Sequence, residues 1–456
     1  MLVQLLKKNA HRIPFWLGYP LSQVPYSYRP LLASSYKQSR LEIQNYASYD
    51  SVDRKKEYIF EKVKRLVYFA IKNVPFYTKY YSLHHFDPDS LKSFDDLERI
   101  PIVSKEILSK VELEERSCYK KGRYLSFTGG STGEPFKFYS DPKQLGHEWA
   151  HFHKIWGNYG YKQSDLLLSI SLEPNQNPIF YDAMRNALVL NIHYPFHVIA
   201  ENLSKKKSVL RQIKYIRGYP SSIAEFLLFC HQEDPSLLQV IKTSLKACFL
   251  ASEYPHPQFR EPIERIAECP TISWYGHSER TVLAYERNSP YVYEPLQSYG
   301  FCEAVICTGD FTTLVGTSYE NYASPLIRYS LDEGVQILES VNGLLKSFQI
   351  KEGRSGDVIL DANNTPISIT HLNLSCRQET WKIARCIQVE QRKPGQLIIW
   401  VTPRNKGTSI KEIRESFDFE KINFDCEFRK IQEPFRTSRG KVMLRVSTSQ
   451  CYRKSN

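Results

Sequence analysis

Ser126-Phe-Thr-Gly-Gly-Ser-Thr-Gly-Glu-Pro-Phe-Lys-Phe-Tyr-Ser140 crowds Thr128, Gly129, Gly130, Ser131, Thr132 and Gly133 into six consecutive positions. The glycines admit positive φ and close backbone approach. Successive N–H groups in such a turn form a concavity suited to phosphate, and the hydroxyls of Ser131 and Thr132 add donors. Gly, Ser and Thr also cluster in ordinary surface turns, so the flanks matter. No Gly-Lys-Ser/Thr closes the loop and no helix follows at once, which excludes a Walker A loop. Arg123–Phe127 reads extended, and after Pro135 the residues Phe136, Phe138 and Ser140 alternate with Lys137 and Tyr139. This period of two predicts a strand on each side of the loop.

Outward from the loop, helical and extended patterns alternate. Residues 50–82 carry an apolar stripe at helical spacing (Ile59, Val63, Leu66, Val67, Ala70), broken at Pro75. From Phe94 the chain reads as a short helix ending before Pro101, and Ser104 as the start of another. Asp141-Pro142 opens a helix through Trp156. Residues 165–172, 187–192, 245–252 and 271–275 read as strands, and 203–216, 222–232 and 257–268 as helices. The expected fold class is therefore α/β, with a large domain of mixed, mostly parallel sheets. Gln396–Val401 reads as a strand and Ser409–Phe417 as a helix, so a smaller α+β domain is expected to follow. The domain boundaries are placed at 1–357 and 358–456.

The chain has 456 residues, too many for one ordinary core. Its formal charge of +12 comes from Lys and Arg spread along the sequence. Without a nucleic-acid fingerprint this reads as a solvated basic face, and no nucleic-acid partner is expected. Ten Cys without a C-x-x-C pair argue against a zinc ribbon and for reduced thiols in the cytoplasm. No run of 18 apolar residues exists, so no transmembrane segment is expected. The Pro- and aromatic-rich residues 13–28 could touch a membrane surface or pack onto the main domain. His147-Glu-Trp-Ala-His151 matches the H-E-x-x-H zinc box, but a short pattern without a third ligand favours an aromatic helix lining a pocket. Ser252-Glu253 and Gly276–Arg280 are polar strand ends, where ligands sit in open α/β sheets.

The Thr/Ser/Gly loop between two strands resembles the ATP loop of the adenylate-forming superfamily, usually Thr-Ser-Gly-Ser/Thr-Thr-Gly-Lys-Pro, with Gly129 and Glu134 here departing from it. Four further stretches resemble that superfamily's motifs in the same order. Trp274-Tyr-Gly-His-Ser-Glu-Arg280 resembles Tyr-Gly-x-Thr/Ser-Glu. Ser324-Pro-Leu-Ile-Arg-Tyr-Ser-Leu-Asp-Glu333 resembles Pro-Leu-Ile-Arg-Tyr-x-Thr-Gly-Asp. Gly353-Arg-Ser-Gly-Asp357 resembles the Gly-Arg-x-x-Asp hinge. Thr437-Ser-Arg-Gly-Lys441 resembles, loosely, Thr-x-x-Gly-Lys. Together they cover the chain from about residue 90 onward, and the Ile-Pro-Ile-Val-Ser-Lys lead-in is similar to the phenylacetate–coenzyme A ligase-like and capsular polysaccharide branch.

The resemblance implies ATP-dependent activation of a small-molecule carboxylate as an acyl-adenylate, followed by transfer to a thiol (coenzyme A) or an amine acceptor. It implies adenine on Tyr275 and Gly276, the α-phosphate on Ser278, Mg²⁺ on Glu279, and the ribose on Glu333 without a gap or Asp332 with one. It further implies nucleotide contact by Arg354, a pivot at Asp357 and catalysis by Lys441 with Glu279. Glu134 places a negative charge beside the triphosphate site, where like charges repel. A non-catalytic scaffold of the same fold in a glycan-assembly complex is the alternative.

Overall fold

The computed structural model describes residues 13–127, 136–171, 177–192, 194–255, 257–306, 312–352, 358–364, 366–369, 380, 383–403, 405, 407–417, 424–432, 435 and 445–446. They fall into two compact units, one of residues up to Phe127 and Lys137–Lys351, the other of residues from Glu352 onward together with Phe136.

The first unit is built on a twelve-stranded mixed sheet. Five neighbouring strands are parallel: β3 (Leu166–Ser171), β5 (Ala187–Asn191), β6 (Ile213–Gly218), β7 (Ala247–Leu250) and β8 (Thr271–Gly276). β5 and β7 are buried at every position. Parallel strands covered on both faces have this unbroken apolar character. β4 (Ile179–Asp182) caps one edge antiparallel to β5. Beyond β8 the sheet turns antiparallel through β9 (Leu283–Glu286), β10 (Tyr293–Pro295), β14 (Leu344–Glu352), β13 (Tyr329–Val341), β12 (Thr312–Ser318) and β11 (Gly300–Ile306). The α/β class expected from sequence holds.

One reading of the sequence is corrected. Residues 203–216 do not form a basic helix. The helix Phe196–Ser204 ends first, a single turn follows at Lys207–Leu210, and Ile213–Gly218 is a central parallel strand. Its two cations are accommodated because long basic side chains can leave a strand sideways. Lys214 Nζ meets Asp165 Oδ1 at 2.7 Å, and the Arg217 guanidinium lies 5.8 Å from the Trp156 ring.

Helices cover the sheet where the apolar stripes require it. Val52–Asn73 is capped by Ser51, whose hydroxyl accepts from Arg54 N–H at 3.2 Å, and buries Ile59, Val63, Leu66, Val67 and Ala70. Pro75 cannot continue it and instead opens Pro75–Leu83 at the first position. The helix Lys143–Gly157 packs Trp156 face to face on Phe249, 5.0 Å between centroids, and Phe249 stacks in turn on Tyr215. Upstream, residues 13–32 form a strap: helix Phe15–Ser22, then a turn at Tyr26–Tyr28. Buried Tyr26 fastens it, donating its O–H to Met184 O at 2.9 Å and its N–H to Gln163 Oε1 at 3.0 Å. The strap thus packs onto the main unit through part of its surface.

The second unit has a four-stranded sheet in the order β19 (Asp425–Lys430), β18 (Gln396–Pro403), β17 (Ala384–Lys393), β20 (Arg445–Val446). β17 and β18 form a hairpin, and β19 and β20 join as parallel edges. Ile387, Ile399, Val401 and Phe428 of the sheet bury Ile413 and Phe417, on and just after helix Ile410–Glu415. The strand and helix expected over 396–401 and 409–417 are present.

Candidate active site

The loop from His277 to Thr281 joins the last parallel strand, β8, to the first antiparallel one, β9. Ligand sites form at such carboxyl ends of parallel strands. Glu279 is buried there. Tyr329, at the start of β13, donates its O–H to Glu279 Oε1 at 3.2 Å. His277 Nδ1 lies 3.2 Å from Glu279 Oε2, and His277 Nε2 lies 3.1 Å from Thr281 Oγ1. A carboxylate only accepts, so Nδ1–H donates and Nε2 receives the threonine hydroxyl. Burial pushes the Glu279 carboxyl up, but His277, its own backbone N–H and Tyr329 together hold it below the usual carboxylate range. The group is ionised at neutral pH.

Tyr275 bonds through its hydroxyl to the Glu333 carboxylate, and burial followed by that negative neighbour raises its phenol well above the ordinary value. Its ring stands edge-on to Phe348 at 5.8 Å. Tyr275, Glu279 and Glu333 are therefore brought together, by two tyrosine–carboxylate pairs that run between the 275–281 segment and β13. Gly276 and Ser278 are exposed on the same loop. Asp332 lies on β13 next to Glu333, and its side chain lies outside the described residues, as do Thr128, Gly129, Gly130, Ser131, Thr132, Gly133, Arg354, Asp357 and Lys441.

The flanks of the glycine-rich loop are described. Tyr124–Phe127 and Lys137–Ser140 pair antiparallel, from Tyr124↔Ser140 to Phe127↔Lys137, so the extended segments expected on both sides form one hairpin. It is fastened to the 321–325 turn: Ser324 Oγ accepts from Tyr139 N–H at 3.0 Å, and Asn321 donates to Tyr139 O at 3.1 Å. Arg280 links the same hairpin to the Glu279 loop, with Nη1 3.4 Å from Ser140 Oγ and Nε 2.9 Å from Glu148 Oε1.

Two arginines flanking the site adopt the left-handed backbone region that non-glycine residues avoid, Arg280 at φ 55° and Arg328 at φ 46°. Each is pinned by its guanidinium. Arg328 forms a two-pronged ion pair with Glu303 at 2.7 and 2.9 Å, and donates to the carbonyls of Glu98 and Ile100. Burial raises the Glu303 carboxyl, an effect Arg328 partly offsets. Val103 pairs in parallel with Tyr329, so the 100–104 connector is a short edge to β13. Two glycines let the loop sit so deep. A Cβ at Gly300 would meet Thr281 O at 2.2 Å, and one at Gly316 would meet Thr281 Oγ1 at 2.3 Å. Gly300→Ala is expected to lower stability by about 1–3 kcal/mol through overpacking, read as a lower urea midpoint.

The histidines of the zinc-box match are engaged by protein groups. His147 Nε2–H donates to Tyr299 O at 2.8 Å and its Nδ1 accepts from Ser39 at 2.9 Å. His151 Nδ1–H donates to His147 O at 2.9 Å and its Nε2 accepts from Ser298 at 3.0 Å. All four ring nitrogens are engaged, and Glu148 belongs to Arg280. Among the described residues no group of three or more His, Cys, Asp or Glu could hold a metal ion. Burial lowers the pKa of His147, His151 and His153, the last to about 3. An unfolded histidine titrates near 6.5. Because the folded values are depressed, these residues oppose unfolding fully above about pH 6.5, and their contribution is lost as pH falls from there toward 3. Urea midpoints should decline steadily over that interval.

No protein-family model matches the chain, and no curated protein matches it in sequence. Solved structures do match in fold. The architecture has counterparts among CoA ligases of known structure. It is similar to 2-hydroxyisobutyryl-CoA ligase in its postadenylation state with R3-HIB-AMP: TM-score 0.55, 15% identity, covering 94% of this chain and 96% of that one. The same ligase in its thioesterification state, with 2-HIB-AMP and CoA, matches at TM-score 0.54 and 15% identity, over 93% of this chain and 95% of that one.

Proposed function

We propose that this protein is an ATP-dependent acid ligase that activates a small carboxylate as its acyl-adenylate and transfers the acyl group to coenzyme A or to an amine. The observation that carries the reading is Glu279, an ionised, buried carboxylate at the end of the parallel sheet, oriented by His277 and Tyr329. An oxygen donor of this kind suits Mg²⁺, which takes one or two protein carboxylates plus substrate phosphates. Bound there, the ion would neutralise charge on the triphosphate.

In the first half-reaction a carboxylate oxygen of the substrate attacks the α-phosphorus of ATP, the bond to the β-phosphate breaks, and pyrophosphate leaves. Tyr275 offers a ring face for adenine, Ser278 a hydroxyl for the α-phosphate, and Glu333 or Asp332 an acceptor for the ribose hydroxyls. Thr128–Gly133 would hold the β- and γ-phosphates, and Arg354 the nucleotide. Lys441 would stabilise the charge developing on the α-phosphate, then withdraw as the second unit turns about Asp357. In the second half-reaction the thiol or amine attacks the acyl carbon and AMP leaves. We assign the chain to the phenylacetate–coenzyme A ligase-like branch, with a role in capsular polysaccharide assembly, on the motif order and the Ile-Pro-Ile-Val-Ser-Lys lead-in.

Pyrophosphate release from ATP·Mg²⁺ with pools of small carboxylic acids tests this. Release that needs one acid and falls to background in Lys441→Ala supports adenylation and identifies the substrate class. ATP binding without release for any acid would favour the non-catalytic scaffold.

A further inference from the structure

The strap that precedes the first long helix is anchored on one side and bare on the other. Tyr26, Gly18 and Arg29 face the body. A Cβ on Gly18 would meet the Tyr181 ring at 2.9 Å, and Arg29 donates to the carbonyls of Ser22, Val24 and Met184 at 2.6–2.8 Å. The remaining large apolar side chains stand in solvent: Trp16 is 74% exposed, Tyr28 71%, Leu21 52%, Leu31 51% and Leu17 44%. A cluster of this kind on a short segment marks an interaction surface.

The charge pattern says which kind. Residues 13–41 contain three cations, Arg29, Lys37 and Arg40, and no Asp or Glu. On the body beneath the strap, Asp182 is buried and paired with Arg185 at 3.3 Å. Lys37 is exposed, its ammonium 5.1 Å from the Tyr28 ring. Apolar and aromatic side chains with tryptophan and tyrosine among them, on a segment without negative charge, match the boundary between headgroups and acyl chains of an anionic bilayer. The helix Phe15–Ser22 has eight residues, too few to cross hydrocarbon, and no described helix is long and apolar enough to do so.

We propose that the strap docks this protein on anionic phospholipid bilayers, with Trp16, Leu17, Leu21 and Leu31 entering the interface and Lys37 and Arg40, on the helix that follows, meeting lipid phosphate. This places the molecule at a membrane surface. The site is separate from the Glu279 centre and does not depend on the ligase reading.

Co-sedimentation of the full chain tests it, using vesicles of phosphatidylcholine alone and of equal parts phosphatidylcholine and phosphatidylglycerol. Binding to the anionic vesicles should be at least about tenfold tighter, and should weaken as ionic strength rises from about 0.1 M to about 1 M, where screening shortens from about 10 Å to about 3 Å. Trp16→Ser with Leu21→Ser should lose about tenfold or more in binding at an unchanged urea midpoint, since both side chains are exposed. Three results overturn the proposal: equal binding to both vesicle types, no binding to either, or full binding by the double variant. A wild-type dimer in light scattering that the double variant abolishes, without vesicle binding, would assign the surface to a second copy instead. The comparison of the two vesicle types on wild-type protein stands even if the variant does not fold.

Discussion

Glu279→Gln is expected to lower acid-dependent pyrophosphate release by about 10²–10³-fold, the scale of removing one pre-organised electrostatic group from a reaction centre, while the protein stays folded. The amide keeps the shape of the carboxyl and accepts from Tyr329 as before, but it is a poorer partner for His277 and brings no negative charge for Mg²⁺. Tyr329→Phe should cost less, because Glu279 retains His277 at 3.2 Å. The pair of variants separates charge from orientation. If Glu279→Gln releases pyrophosphate at the wild-type rate, Glu279 is not part of the proposed chemistry. Raising the Mg²⁺ concentration should partly restore a weakened metal site and leave a purely structural defect untouched.

Arg328→Met should lower stability by about 3–5 kcal/mol, the cost of stranding a charge inside a protein. The guanidinium serves Glu303 and two backbone carbonyls at once. Its loss leaves the half-buried Glu303 without its cation and frees the carbonyls of Glu98 and Ile100. Urea denaturation followed by tryptophan fluorescence measures the shift. Adding Glu303→Gln should recover part of it, because the uncompensated negative charge is then gone. A single variant as stable as wild type would mean that water reaches Glu303 and solvates it.

The α/β layer was legible because its strands are short apolar runs bounded by turns, and the helix break at Pro75 because proline cannot donate the next hydrogen bond. The hairpin around the glycine-rich loop was legible from the alternation of Phe136, Lys137, Phe138 and Tyr139. Ile213–Gly218 was misread because Lys214 and Arg217 gave the segment a helical look. Only tertiary structure supplies the Asp165 carboxylate and the Trp156 ring that accept them. The histidine box shows the same limit: spacing puts two imidazoles on one helix face, but the groups that engage them, Ser39, Tyr299 and Ser298, come from distant parts of the chain. In the candidate site, Tyr275, Ser278 and Glu279 stood out as a local stretch. The pairings that orient them did not, since Tyr329 lies 50 residues from Glu279 and Arg280 reaches back to Glu148. Local pattern locates the groups, and long-range packing sets their charge and direction.

The edge contact between the 100–104 connector and β13 also governs when the protein can finish folding. Arg328 lies 228 residues beyond the Ile100 carbonyl it binds, and Tyr77 donates to a carbonyl 248 residues later. At a synthesis rate of roughly 5–20 residues per second, the amino-terminal helices wait on the ribosome roughly ten to fifty seconds for these partners to be made. During that interval the faces of Ile59, Val63, Leu66 and Tyr77 have no completed sheet to cover them. Chains truncated before Tyr329 should therefore aggregate even though the helices in them are intact.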